Sequence, residues 1–218
     1  MAGQALMADT LRVAVLVGSL RRGSFSRRIA RAAIALAPNS LAMEIVEIGD
    51  LLLYNEDLED APAKPSSWVT FRDRIRGVDG VLFVTPEYNR SVPGVLKNAL
   101  DVGSRPRVES TWSGKPCAVI SVSLGALGAF GANHHLRQSF VFLDMPAMQQ
   151  PEAYIGNAPS LFDSQGSLIR LCQIVLAVSA RITRLSRITG TFLTVDASAY
   201  KMRKRDFASV FNDLTKSN

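Results

Sequence analysis

The segment that decides the fold is RVAVLVGSLRRGSFSRRIA, which runs from Arg12 to Ala30. Its opening RVAVLV is a short β-branched run that stops at Gly18, the pattern of a buried parallel strand. After a polar loop, Ser24 can cap a helix that extends to about Ala37, because Pro38 blocks its continuation. A strand, a loop and a helix in immediate succession indicate the first unit of an α/β fold.

The same alternation of strands and helices continues along the chain. Four further strands are predicted, at residues 41–48, 80–85, 116–123 and 146–155. Four further helices are predicted, one capped by Ser66 or Ser67 with an apolar stripe from Trp68 to Val78, and three at residues 94–102, 132–142 and 167–180. Right-handed crossovers between such units give a parallel sheet covered on both faces, with ligands bound beyond the carboxyl ends of the strands.

The length and composition of the chain limit the number and kind of domains that it can form. Its 218 residues, 47% hydrophobic and 20% charged, suit one sizeable α/β domain without internal repeats. We expect an N-terminal extension at residues 1–10, a single domain at 11–185 and an atypical basic tail at 186–218. The longest apolar stretch, residues 117–132, falls short of the roughly 18–20 residues that span a bilayer, so no membrane segment is predicted.

The cysteines and the N-terminal sequence predict a cytoplasmic protein. Cys117 and Cys172 lie far apart and outside any CxxC or metal-ligand spacing, which is typical of reduced, buried thiols without a chemical role. The apolar run near the N-terminus is short and is interrupted by Asp9, so we expect no export signal.

The net charge of +6 permits nucleic-acid binding but does not require it. The basic residues concentrate at residues 21–31 and 181–205, and neither cluster has the interleaved aromatic residues of a single-strand platform. A small phosphorylated ligand accounts for the first cluster at least as well. We therefore expect no nucleic-acid partner, and retention on DNA with a steep salt dependence is the observation that would support one.

The loop after the first strand, residues 18–26, has the composition of a phosphate site. Gly18 and Gly23 have the spacing of a P-loop, but the two residues that follow are not the lysine and hydroxyl residue that a triphosphate site needs. The loop instead offers the N–H groups of a helix N-terminus together with hydroxyls and a guanidinium, from Ser19, Arg21 or Arg22, Ser24 and Ser26. A binding site with these groups fits one terminal phosphate. The alternative is that the serines only cap the helix and the arginines face solvent.

Two further loops, residues 86–93 and 123–131, follow the third and fourth strands at the same edge of the sheet. The first lies in TPEYNRSVPGVLKNALD and presents Tyr88 and Asn89, where an aromatic ring can lie along a flat heterocycle. The second lies in SVSLGALGAFGAN, whose small residues let such a ring approach the backbone. Together the three loops favour a mononucleotide with a large planar head, although turn chemistry alone also explains Pro-Glu-Tyr-Asn.

Four segments of the chain carry a family resemblance: GSLRRGSFSRRIA, LYNEDLE, PEYNRSVPGVLKNALD and HLRQSFVFLDM. In type and order they resemble the NAD(P)H-dependent FMN reductase family, especially its chromate and quinone reductase branch, over residues 11–156. The resemblance implies a flavodoxin-like three-layer α/β fold with a five-stranded parallel sheet of order 2-1-3-4-5. It also implies bound FMN, NADPH or NADH as co-substrate, and assembly as a homodimer or homotetramer.

The resemblance also assigns cofactor-binding residues. Those of loop 18–26 are Ser19, Arg21, Ser24, Phe25 and Ser26; those around the isoalloxazine ring are Pro86, Glu87, Tyr88 and Asn89; those of the third loop are Ser123, Gly125 and Gly128. Arg105 corresponds to an arginine near the family's subunit contacts. The chain departs from the family pattern at Ser26, Ala129, Val102 and Gly103, which replace an asparagine, a glycine and two bulkier residues, and residues 165–218 do not resemble the family's final helix.

In such an enzyme the flavin carries the electrons, so neither a catalytic acid–base pair nor a metal is expected from the protein. We expect hydride transfer from NAD(P)H and reduction of quinones or similar small acceptors, such as chromate, azo compounds or free flavin. Glu87 is expected to contribute through its backbone, and His134 and His135 are assigned no role. The alternative is a flavodoxin-type electron carrier that docks a protein reductase; such carriers are often acidic, whereas this chain is basic.

Overall fold

A parallel β-sheet of five strands forms the centre of the molecule, whose computed structural model describes residues 10–164. The strands are β1 (Leu11–Val17), β2 (Leu41–Ile45), β3 (Gly80–Thr85), β4 (Cys117–Val122) and β5 (Ala153–Ile155). Their order in the sheet is β2-β1-β3-β4-β5, and every neighbouring pair is parallel. The fold class and the strand order predicted from the sequence are therefore confirmed.

Helices cover both faces of this sheet. They are α1 (Phe25–Ala35), α2 (Glu56–Asp60), α3 (Ser66–Arg76), α4 (Gly94–Gly103) and α5 (Phe130–Phe142), with 3-10 turns at Arg107–Glu109 and Ala158–Leu161. Alternate residues of a strand face opposite sides. Val13, Val15 and Val17 of β1 accordingly pack in the core cluster that contains α1, whereas Ala14 and Leu16 belong to the cluster formed with α3, α4 and α5. Both faces of β1 are thus buried, as in other parallel sheets.

Most predicted elements are confirmed, with differences at their ends. β1, β3 and β4 agree within one residue at each end, and the apolar stripe predicted for α3 is buried up to Ile75. The predicted serine cap of α3 is wrong: the helix begins at Ser66 after Pro65, and no side chain caps it. β5 is shorter than predicted: residues 153–155 form a ladder with β4, and in the earlier part of the predicted strand only Ala147 makes an isolated bridge, to Cys117. The sequence pattern did not predict α2, whose sequence EDLED is too short for an apolar period.

Parts of the predicted organisation lie outside the described residues and stay predictions. These are the N-terminal extension, the helix at 167–180, Cys172, the basic cluster at 181–205 and the domain boundary before the tail at 186–218. Within residues 10–164, no helix is long and apolar enough to cross a membrane.

Gly103, one of the departures from the family pattern, lies at the end of α4. A Cβ at this position would be 2.5 Å from the indole ring of Trp112. That ring is fully buried, and its Nε1 donates a hydrogen bond to the carbonyl of Leu100 at 2.8 Å. The tryptophan therefore occupies the space that a larger residue at position 103 would need.

Candidate active site

A cavity of about 400 Å³ opens at the carboxyl ends of β1, β3 and β4. β2 lies on one side of β1 and β3 on the other, and open α/β sheets bind ligands at such a switch in strand order. The described residues that line the cavity are Ser19, Arg21, Ser24, Phe25, Ser26, Pro86, Glu87, Tyr88, Val122, Ser123 and Leu124. Nine of these eleven are among the twelve residues predicted to bind the cofactor.

The loop after β1 is positioned by a close approach and by a helix cap. A Cβ at Gly18 would lie 2.8 Å from Oγ1 of Thr85, so the loop can leave β1 beside the end of β3 only without a side chain there. Ser24 is the N-cap of α1, and its hydroxyl accepts a hydrogen bond from the N–H of Arg27 at 3.1 Å. The other N–H groups of the first helical turn have no carbonyl partner within the helix, as at any helix start.

Two of the four arginines between Gly18 and Ala30 are engaged by other side chains of the protein. Arg27 makes two hydrogen bonds to the Glu47 carboxylate, at 2.6 and 2.7 Å, and these bonds lower the pKa of Glu47. The Arg28 guanidinium lies over the rings of Phe25 and Phe162. Neither Arg27 nor Arg28 lines the cavity.

Arg21 is the arginine of this loop that lines the cavity. Among the described residues, its only side-chain hydrogen bond is a long one, 3.4 Å from Nη2 to the carbonyl of Gly23. Arg22 is exposed and is not part of the cavity wall. The sequence leaves Arg21 and Arg22 as alternatives, and the geometry favours Arg21 as the partner of an anionic ligand.

The loop after β3 contains a two-residue hairpin that presents Tyr88. Tyr88 and Ser91 exchange both backbone hydrogen bonds at 3.0 Å, and the residues between them, Asn89 and Arg90, have φ angles of 50° and 65°. The Tyr88 side chain is half exposed and lines the cavity, with its Oη 3.3 Å from Oγ of Ser19. This contact joins the loops after β1 and β3. Asn89 does not line the cavity.

The Glu87 side chain binds the N-terminus of α5. Its Oε2 accepts a hydrogen bond from the N–H of Ala132 at 3.2 Å, and its Oε1 accepts a long one, 3.5 Å, from Arg90. A carboxylate is stabilised at a helix N-terminus because the first N–H groups there lack partners. The Glu87 carboxylate therefore stabilises the contact between this loop and α5, and the residue also lines the cavity.

The loop after β4 is shaped by residues in the left-handed region. Gly128 has a φ of 61°, and a Cβ there would lie 2.7 Å from the backbone of Tyr154, so only glycine fits. Ala129, which stands where the family pattern has a glycine, also has a positive φ, 59°. Ser123 lines the cavity and donates to the carbonyl of Gly125 at 2.8 Å. Gly125 and Gly128 shape this loop without lining the cavity.

The chemistry of the cavity wall fits a phosphate ester that carries a planar ring. The loop after β1 contributes Arg21, a helix N-terminus and three buried serines, all of which can donate hydrogen bonds to a dianion. The loops after β3 and β4 contribute the ring of Tyr88 and the apolar side chain of Leu124. These groups fit FMN. Within residues 10–164, no cluster of three or more His, Cys, Asp or Glu side chains could hold a metal ion.

A larger groove of about 670 Å³ lies between β2 and α3. Its wall includes Arg12 at the start of β1 and Asp73 and Arg74 in the C-terminal half of α3, so it lies towards the amino ends of the strands. Ligands of open α/β sheets bind at the opposite edge. None of the predicted cofactor-binding residues lines this groove, and the smaller cavity is therefore the candidate active site.

The strand order and the cavity at the switch point define a flavodoxin-like protein of the FMN-binding class. The family model described as NADPH-dependent FMN reductase matches residues 11–160, and the chain belongs to that family.

Several proteins of named activity are similar to this chain. A quinone reductase of Pseudomonas putida is 67% identical over 162 residues, which cover 74% of this chain and 87% of that protein. A 2-hydroxy-1,4-benzoquinone reductase of a Burkholderia species is 48% identical over 160 residues, which cover 73% and 86%. The structure of FerB, a flavoenzyme NAD(P)H:(acceptor) oxidoreductase from Paracoccus denitrificans, is 36% identical with a TM-score of 0.75, over 82% of this chain and 98% of FerB. The family, the enzyme class and the FMN cofactor predicted from the motifs are confirmed.

The sequence motifs do not identify three residues that the structure brings to the site. Val122 and Leu124 line the cavity on either side of Ser123, but in the sequence Val122 is only the apolar end of a strand and Leu124 an apolar residue of the loop that follows. Nδ1 of His135, on α5, lies 2.9 Å from Oγ of Ser91 in the hairpin. The sequence indicates only that His135 lies on a helix that starts near the site. It does not indicate that Ser91 is the residue that His135 contacts.

Proposed function

We propose that this protein is an NAD(P)H-dependent oxidoreductase that holds FMN in the cavity and reduces quinones. The observation that carries the proposal is the convergence of serine hydroxyls, Arg21 and a half-exposed Tyr88 in one cavity at the switch point of the sheet. The relatives named quinone reductase and 2-hydroxy-1,4-benzoquinone reductase support a quinone as the acceptor. Overall, NAD(P)H, a proton and a quinone give NAD(P)⁺ and a hydroquinone, with two electrons transferred.

The residues of loop 18–26 bind and orient the phosphate in this proposal. Ser19, Ser24 and Ser26 donate hydrogen bonds to its oxygens, and Arg21 adds a charge-assisted bond. Ser24 can serve both the helix and the ligand, because its oxygen accepts from the N–H of Arg27 while its hydrogen stays free to donate. Bound FMN would supply the capacity to accept a hydride and to pass on two electrons.

The other two loops orient the ring system. The residues proposed to surround it are Phe25, Pro86, Glu87, Tyr88 and Ser123, which line the cavity, and the residues proposed to shape the two loops around it are Asn89, Gly125 and Gly128. Tyr88 is half exposed, so we assign it to the open side, where the nicotinamide and the acceptor bind in turn. The protein contributes by orienting the flavin, the nicotinamide and the acceptor in a shared binding site. The reaction does not require an acid–base side chain.

The open side of the cavity favours flat, largely apolar acceptors. Leu124 lines the cavity and is 67% exposed, and the Tyr88 ring lies in the same wall. Apolar and aromatic walls with few polar groups bind flat rings well. We therefore rank quinones above chromate, azo compounds and free flavin as acceptors.

Absorbance and turnover measurements test the proposal. The purified protein, incubated with FMN and desalted, is expected to keep the absorbance of bound flavin. It is then expected to oxidise NADPH or NADH in the presence of a benzoquinone and no other protein, with one hydroquinone formed per nicotinamide oxidised. A colourless desalted protein overturns the flavin site. Bound flavin without nicotinamide oxidation supports the alternative, an electron carrier that docks a protein reductase.

We propose that the protein assembles as a homodimer or homotetramer. Leu52 and Leu53, in the segment before α2, are 56% and 77% exposed, and adjacent exposed apolar side chains of this kind suit an interface. Arg105 lies close to this segment, with its guanidinium 5.3 Å from the ring centre of Tyr54. Light scattering gives the mass in solution, and a monomer at micromolar concentration overturns the proposal.

A cytoplasmic location is also proposed. Cys117 is buried, and its burial raises the pKa of the thiol. A buried thiol with a raised pKa is unreactive, which suits a protein that keeps its cysteines reduced. Fractionation of cells that express the full chain tests the proposal, and recovery from the medium would contradict it.

A further inference from the structure

The hairpin from Tyr88 to Ser91 has a backbone conformation that contacts from outside the loop can stabilise. Its two central residues, Asn89 and Arg90, both have positive φ, at 50° and 65°. Asparagine adopts this conformation more readily than other residues with a side chain, whereas for Arg90 it is uncommon. Contacts from a neighbouring element therefore favour this hairpin over more extended alternatives.

Helix α5 supplies that support at two points. The N–H of Ala132 donates to Oε2 of Glu87, just before the hairpin, at 3.2 Å. Nδ1 of His135 lies 2.9 Å from Oγ of Ser91, the last residue of the hairpin. The first contact uses a free N–H group of the helix N-terminus, and the second uses a side chain of the next turn. The N-terminal part of α5 thus contacts the chain on both sides of Tyr88.

The contact at Ser91 is transmitted to Tyr88 through the backbone. Ser91 and Tyr88 donate to each other's carbonyl groups at 3.0 Å, so a displacement of one displaces the other. Tyr88 in turn lines the cavity and approaches Ser19 across it. We infer that His135 is a positioning residue: it acts through Ser91 to set Tyr88 at the open side of the flavin site. This inference rests on the proposed function, in which FMN binds in this cavity.

The neighbouring histidine provides a matched control. Nε2 of His134 lies 3.0 Å from Oη of Tyr154, and its ring packs on Phe130 at a centroid distance of 4.1 Å. Both histidines are exposed residues of α5. His134 contacts a side chain of β5, whereas His135 contacts the hairpin. The same substitution at the two positions therefore separates positioning of the flavin loop from a general effect on the helix.

The test compares His135→Ala with His134→Ala in the full chain reconstituted with FMN. Loss of one hydrogen bond at His135 is expected to weaken FMN binding about 3- to 10-fold, measured by flavin fluorescence titration. The visible circular dichroism of the bound flavin is also expected to change, because the ring environment changes when Tyr88 moves. For His134→Ala, both readouts are expected to match the wild type.

Two further variants test the hydrogen bond between His135 and Ser91. In His135→Asn, an amide atom occupies the place of Nδ1, and the affinity and the flavin spectrum are expected to recover. Ser91→Ala removes the same hydrogen bond from the other side. The double variant of His135→Ala and Ser91→Ala is expected to bind FMN no more weakly than either single variant, because both remove one interaction.

The outcomes separate this inference from the function on which it rests. A wild-type protein that binds no FMN overturns the proposed function and this inference with it. Wild-type binding with equal effects of the two histidine variants overturns the positioning role alone. The same conclusion follows if His135→Asn behaves like His135→Ala, or if the effects of His135→Ala and Ser91→Ala add.

Discussion

Loops 18–26 and 86–93 line the same cavity, but they are held in different ways. Loop 18–26 is held by the helix that directly follows it, through the cap that Ser24 provides to α1. Loop 86–93 is held by α5, which binds Glu87 and Ser91 from 45 and 44 residues further along the chain. The helix start of the first loop is therefore a local structure, although Gly18 and Ser19 also contact β3 and the second loop. The second loop depends on a helix far along the chain.

This difference decides how ligand binding and folding are coupled in each loop. In loop 18–26, Ser24 caps the helix and also lines the cavity, so in the proposed site one side chain serves both the fold and the ligand. In loop 86–93, Asn89 and Arg90 have positive φ angles, and the residues on either side of them, Glu87 and Ser91, bind α5. A substitution there can change the position of Tyr88 without touching any group that faces the cavity.

The largest effect is expected for Ser24→Asp, which separates the two tasks of Ser24. Aspartate caps helices about as well as serine, so the free energy of unfolding of the flavin-free protein should stay within about 1 kcal/mol of the wild type. Two like charges about 4 Å apart repel by about 4 kcal/mol at an effective dielectric constant of about 20, so FMN binding should weaken by more than about 100-fold. Urea denaturation and flavin titration measure the two quantities.

Ser24→Ala is the matched variant. It removes the cap and should cost about 1 kcal/mol of stability, but it introduces no charge, so FMN should bind more tightly to it than to Ser24→Asp. The order of the two variants is thus opposite in stability and in affinity. If both readouts rank them in the same order, Ser24 does not face a phosphate.

A smaller effect is expected for Arg21→Ala. Removal of a charge-assisted hydrogen bond worth about 1.5–3 kcal/mol should weaken FMN binding roughly 10- to 150-fold. The flavin-free protein should keep its stability, because Arg21 makes only a long hydrogen bond to Gly23 among the described residues. Arg22→Ala is the control, since Arg22 is exposed and outside the cavity wall. Equal losses in the two variants would assign the effect to net charge alone.

The same contrast explains how much of the site can be predicted from the sequence. Loop 18–26 consists of consecutive residues, and the start of the helix that follows it is predicted by the capping preference of Ser24. Pro38 bears only on where that helix ends. The strand order follows from the family resemblance, and four of the five strands from short apolar runs of the expected length. The helix cap and the strands depend on neighbours in the sequence, which a single chain displays directly, whereas the strand order does not.

The parts that the sequence did not predict depend on partners far along the chain. The sequence motif includes Glu87, but its carboxylate binds α5, and only the packing of α5 against the loop makes that apparent. The role inferred for His135 has the same origin. The cavity wall also includes Leu124, which has no polar chemistry to mark it. Tertiary contacts of this kind leave no spacing pattern in one sequence.

The smallest effect is expected for Arg90→Gly, which tests whether the hairpin of loop 86–93 is strained. A left-handed conformation costs a residue with a side chain about 1–2 kcal/mol, and glycine loses part of that advantage through its more flexible unfolded chain. Arg90→Ala is the matched variant, because it also lacks the guanidinium but keeps the Cβ. The Arg90 side chain is 77% exposed and 3.5 Å from Glu87, so both variants lose the same weak ion pair. Arg90→Gly should therefore be more stable than Arg90→Ala by about 0.5–1 kcal/mol in urea denaturation. Equal stabilities would mean that the contacts from α5 hold an unstrained turn.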